Sequence, residues 1–234
     1  MSSIFGSKFV GALAAMGLYV LTATNAHASF TTINAPAKGE VGQGAILANE
    51  YGGSFSANGV NFSNGSITAT RVVQEDVPVL DILSAKAIGS FAAYSQGFGY
   101  SANGSVTNLF NVTGKKFNAT GSVGVVDLPS EYNFVRTGQG STVSSDRADN
   151  ADGKDHLVTY LLTGNGVKAD TYVLFWEDKL VKQGSDFDFN DLAVEVRFGT
   201  PTVVPLPTAA WSGLATLAGG ALMTGVKKAR RKMA

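Results

Sequence analysis

Between residues 29 and 203 the chain alternates short apolar stretches with polar turns, and helical periodicity is nearly absent. Strand-like segments are read at residues 55–62, 66–73, 106–112, 117–126, 157–162, 172–176 and 192–198. In the last of these, Leu192, Val194, Val196 and Phe198 fall on one face and Glu195 and Arg197 on the other. That period of two marks a half-buried strand. Asn64-Gly65, Asn103-Gly104 and Thr113-Gly114 punctuate the pattern, and Asn-Gly is a hairpin-turn signal. Residues 81–94 are the one segment read as a short helix, because Ile82, Ala85 and Ile88 sit near helical spacing. Short strands with polar turns predict an all-β body, an antiparallel β-sandwich or jelly-roll-like fold. Residues 139–150 are polar and apolar-poor, a soft boundary or simply a loop.

The two ends break this pattern. Lys8 precedes an apolar run over residues 9–21, and small and polar residues then lead to Ala26-His27-Ala28. A charged start, an apolar middle and a small-x-small close compose a secretory signal peptide over residues 1–28, cut by signal peptidase after Ala28. At the other end, Val204-Pro205-Leu206-Pro207 precedes an uncharged run over residues 209–226 and a basic cluster, Lys227, Lys228, Arg230, Arg231 and Lys232. As an apolar helix at ~1.5 Å per residue, the run is about 27 Å long, barely enough for a bilayer core. Its Ser212, Thr216, Thr224 and glycines suit a transient span of the inner membrane better than a permanent anchor. Flanking bases stay on the cytoplasmic side, which leaves the body outside and agrees with the signal peptide.

The tripartite tail, residues 204–234, resembles the PEP-CTERM class of bacterial sorting tails, with Leu206 where the commonest version has Glu. The resemblance implies recognition by an exosortase-type processing enzyme. It also implies a secreted or cell-envelope location in bacteria that build exopolysaccharide-rich envelopes or biofilms.

Removing the ends changes the charge. They hold six of the 18 basic residues and none of the 18 acids, so the neutral chain contains a body of net charge −6. An acidic body argues against nucleic acid and anionic membrane surfaces as partners, and is compatible with cations. The chain has no cysteine, which removes disulfides, thiolate metal sites and cysteine nucleophiles. Of its two histidines, His27 lies in the signal peptide and His156 in the body. A zinc site with several His ligands from one chain is therefore excluded.

The acids are concentrated. Residues 146–191 hold ten of the 18, eight of them in two clusters: Asp149 to Asp155, and Glu177-Asp178 with Asp186-Phe187-Asp188-Phe189-Asn190-Asp191. If the second cluster is extended, Asp186, Asp188 and Asn190 share one side while Phe187 and Phe189 are buried on the other. Such a row of oxygen ligands suits Ca²⁺. Neither cluster has the spacing of an EF-hand loop, so any calcium site must be assembled from separate loops. Asp186, Asp188, Asn190 and Asp191 are the primary candidate ligands; Glu177, Asp178, Asp152 and Asp155 are secondary ones. An Asp-rich loop can equally be a set of solvated turns capped by its own carboxylates.

Residues 140–199 resemble the exported bacterial domain-of-unknown-function 4114 type. The resemblance rests on Asp152 to Tyr160, on Phe175-Trp176-Glu177-Asp178, and on the Asp-x-Asp-x-Asn-Asp run before a strand. It implies an exported β domain that binds calcium and carries no established activity. Glu177 and Asp178, adjacent on a strand, would face opposite ways and so make a poor acid–base pair. The expected function is that of a non-enzymatic envelope or matrix protein. A carbohydrate-binding or adhesive module attached to exopolysaccharide is the alternative, and a glycan or peptide hydrolase a remoter one.

Overall fold

The computed structural model describes residues 30–200, apart from 37, 74–76, 78, 79, 139 and 140. The segments expected to form a signal peptide (residues 1–28), a sorting motif (Val204 to Pro207) and an apolar membrane helix (residues 209–226) lie outside the described residues. Within them the protein is an all-β, antiparallel sandwich, with one short α-helix, α1 (Gln43–Tyr51).

The larger sheet holds nine strands. Its main path runs β1 (Ser56–Asn58), β2 (Asn61–Ser63), β3 (Ile67–Val72), β11 (Leu157–Gly164), β12 (Thr171–Trp176), β13 (Leu192–Phe198), β4 (Ile82–Ser90) and β7 (Lys116–Phe117); β8 (Ser122–Val123) also pairs with β4. The smaller sheet is β10 (Val143–Ser144), β9 (Asn133–Gly138), β5 (Gln96–Ala102) and β6 (Ser105–Val112). Strands from the first half of the body thus flank β11 to β13 on both sides.

The middle of the larger sheet is buried on both faces. One face meets the smaller sheet through Leu174, Trp176, Val194 and Val196 against Phe98, Phe110 and Phe134. The other carries Val158, Tyr160, Val173 and Phe175, covered by Ile46 and Leu47 of α1 and by Phe189. This explains why all six residues of β12 are apolar or buried: a central strand with two covered faces has no solvent side on which to alternate.

Several boundaries differ from the sequence reading. Residues 81–94 are not a helix; they hold β4. The near-helical spacing comes from two bulges against β13, where Leu83 and Ile88 are each the extra residue. Ile82 and Ala85 therefore share the inter-sheet core despite a spacing of three, and Ile88 turns to the opposite core. The actual helix, α1, was not anticipated. Residues 55–62 are not one strand but two, folded back at Gly59 (φ 62°). Residues 117–126 break into β7, β8 and a single bridge from Val126 to Ile82.

Candidate metal centre

The acidic run after β12 is not extended. Phe187 and Phe189 both have left-handed backbones (φ 57° and 54°), a conformation that costs an aromatic residue on the order of 1–3 kcal/mol. The curl is held from outside. Asn34 donates its side-chain amide to the Asp186 carbonyl (2.5 Å) and its backbone N–H to the Phe187 carbonyl (2.9 Å). Gln43, the first residue of α1, donates to the Phe189 carbonyl at 3.3 Å and accepts from the Tyr160 hydroxyl at 3.0 Å. Phe189 is fully buried and Phe187 packs at the edge of the same core. The aromatics do anchor the loop, as their interleaving suggested. However, the curl buries Asp188 and Asn190 as well, so there is no single row of exposed ligands.

The run is instead divided between two clusters. Asp186 and Asp188 join exposed Glu40 from the segment before α1. Asp188 is pushed up to about 6 by burial and by the charges of Asp186 and Glu40. Asn190 donates to Asp188 Oδ2 at 2.5 Å and so completes that carboxylate rather than facing an ion.

Asp191 turns the other way and meets Glu177 and Asp178, with one oxygen from each of the three lying within 4.8 Å of the others. Glu177 and Asp178 are 1% and 3% exposed. They converge because β12 ends at Trp176, where strict strand alternation lapses. The expectation that the two would face apart therefore does not hold. Asp178 N–H donates to Asp191 Oδ2 at 2.8 Å. Two oxygens of this centre, Glu177 Oε2 and Asp178 Oδ1, are buried without a hydrogen bond. Burial first, then the charges of Asp191 and Asp186, push Glu177 up to about 8. Burial and Asp178 push Asp191 up to about 7.

The smaller sheet closes the site. Gln96, which opens β5, donates to Asp178 Oδ2 at 3.1 Å and accepts from Arg136 of β9. Arg136 is fully buried, with its guanidinium 3.5 Å from Asp178. Burial lowers its affinity for a proton; Asp178, Asp191 and Glu177 push back. The Ser141 hydroxyl, a donor to the Asp178 carbonyl at 2.8 Å, ties the backbone. With all three acids ionised, one arginine leaves the centre at −2. Neither Gln96 nor Arg136 is marked by any local pattern; their strands were not read from the sequence at all.

Asp152 and Asp155 lie outside both clusters. Asp152 accepts the N–H of Lys154 (3.1 Å) and of Val181 (2.9 Å), and pairs with His156 Nε2 (3.1 Å). Burial opposes its ionisation, but these partners outweigh it and hold the carboxyl below its ordinary value. It is a turn-capping residue, and it, not the adjacent Asp155, is the partner of His156. Asp155 lies close enough to Arg71 to help keep that guanidinium charged. Asp146 and Asp149 are equally local: Asp146 caps a 3-10 helix over Arg147–Asp149, and Asp149 accepts from Ser144 and Asn133.

No family model matches the chain, and neither does any curated protein or solved structure.

Proposed function

We propose that this protein is an exported structural protein of the cell envelope or extracellular matrix, whose β body is rigidified by Ca²⁺ held at Glu177, Asp178 and Asp191. One observation carries the metal reading: two carboxylate oxygens in a three-acid centre are buried without a partner. An unpartnered buried charge is costly, and a cation relieves it where a proton otherwise must. The donor set is all oxygen, which suits a hard cation. The Ser185 hydroxyl beside Glu177 offers a further neutral oxygen. The charge of −2 left by Arg136 matches one divalent ion. Ca²⁺ is favoured over Mg²⁺ because it accepts irregular sets of six to eight oxygens, whereas Mg²⁺ demands a near-ideal octahedron.

The signal peptide and PEP-CTERM-like tail support export, signal-peptidase and exosortase-type processing, and a transient inner-membrane stage before release to the surface. The absence of cysteine and the single histidine between residues 29 and 203 support a non-enzymatic role.

Calorimetric melting of the full chain tests the metal reading. At 100 times Kd, a bound ion adds about 2.7 kcal/mol, an upward shift of roughly 5–10 °C for a body of this size. The same midpoint in excess Ca²⁺ and in EDTA would remove the cation from the proposal.

A further inference from the structure

We infer that one end of the smaller sheet is a binding groove for a neutral, hydroxyl-rich ligand, a segment of a glycan chain. The groove has a volume of about 770 Å³, within the range of ligand sites. Its walls are the turn between β5 and β6, the loop that enters β9, and the stretch from β10 to the following 3-10 helix. None of its lining residues belongs to the acidic centre, although Val135 and Thr142 adjoin Arg136 and Ser141, and its far end lies well away from it. Gln96, at the start of β5, touches Asp178, whereas Ala102, at its end, lines the groove. Six steps of an extended strand separate them by about 20 Å. The inference therefore does not depend on the cation.

Charge narrows the ligand class. Among the described residues, the charged side chains lining the groove are Glu131 and Asp149, both acidic; no lysine or arginine lines it. Phosphates, uronates and nucleic acids are repelled by such a lining. The remaining polar lining is serine, threonine and asparagine, groups that donate and accept, as sugar hydroxyls do. Val106, half exposed, and the half-buried Tyr132 add apolar surface for the C–H face of a sugar ring.

The walls are set before any ligand arrives. Asp149 Oδ2 accepts from the Asn133 amide (2.9 Å) and from the Ser144 hydroxyl (3.1 Å). Asn103 and Gly104 form a tight turn with φ 50° and 74° between paired strands. Groups already ordered lose little entropy on binding, which offsets the modest strength of individual sugar hydrogen bonds.

Titration calorimetry on the full chain tests the groove. The probes are neutral hexasaccharides of glucose, mannose and galactose, with an oligogalacturonate as the anionic arm and spermine as the cationic arm. At least one neutral hexasaccharide is expected to bind, with an affinity unchanged by EDTA. Ser130→Trp, at an exposed position on the wall, is expected to weaken it at least tenfold. Glu131→Lys, also exposed, is expected to admit the galacturonate that the parent rejects. Either variant is informative if the other fails to fold. No binding of any neutral sugar, tighter binding of galacturonate or spermine than of neutral sugars, or an unaltered affinity in the folded Ser130→Trp protein overturns the inference.

Discussion

Replacing Glu177 by Gln removes one negative charge from the acidic centre while keeping its shape. In the parent without a cation, Glu177 titrates near 8, against an ordinary 4.5. A carboxyl raised in this way holds its proton in the folded state over a range where the unfolded chain has released it. Its contribution to stability is complete below about pH 4.5 and lost as pH rises through about 8. Each pH unit across that window is worth about 1.4 kcal/mol, so the ceiling for this group alone is about 5 kcal/mol. Asp191 shares the same protons and does not add a second full increment. Urea unfolding in EDTA, repeated between pH 5 and 8.5, reads the slope directly. The parent should lose stability with rising pH in EDTA and much less in excess Ca²⁺, which holds the acids ionised. Glu177→Gln should flatten the EDTA curve and greatly reduce the gain from Ca²⁺. A parent whose stability in EDTA is level across this range, or a variant with the parent's slope, would refute the reasoning.

Other expectations separate the parts of the site. Asp191→Asn should abolish most of the calcium-dependent rise in melting temperature, whereas Asp186→Asn, in the exposed cluster, should leave most of it; differential scanning calorimetry compares the two. Gln43→Ala removes the ties from α1 to Tyr160 and to the 187–189 curl, and should cost about 1–3 kcal/mol in chemical denaturation and weaken calcium affinity. Gly99→Ala would place a Cβ 2.0 Å from the Thr107 carbonyl oxygen, a backbone atom that cannot swing aside, and should destabilise by roughly 1–3 kcal/mol or more. Gly59→Ala meets open space and suffers only its positive φ, so its smaller loss in the same assay is the control.

The acidic centre was only partly legible in the sequence. Asp186 to Asp191 could be recognised as a unit because its phenylalanines alternate with its carboxylates. What that pattern could not convey was the pair of left-handed residues that curls the run and sends Asp191 away from Asp186. The backbone at Phe187 and Phe189 is imposed by Asn34 and Gln43, about 150 residues earlier, so the constraint is not local. Glu177 and Asp178 are expected to face apart on the rule of strand alternation, and that rule ceases where β12 ends. The misplaced helix at residues 81–94 has a related origin. Two bulges in β4, each set by pairing with β13, turned a strand period into a spacing of three.

What the sequence by itself determined is the class of the body and its chemical inventory. Turn dipeptides and period-two alternation are local consequences of backbone geometry, so they mark an antiparallel β protein without reference to partners. The absence of cysteine and the scarcity of histidine exclude thiolate and multi-histidine metal sites and make oxygen the main ligand available. Only the tertiary structure decided which carboxylates meet, because convergence depends on where separate strands end within one sheet. It also decided that Arg136 and Gln96, from the opposite sheet, complete the centre. Their role exists only once two sheets have packed and excluded the water that would otherwise solvate those charges.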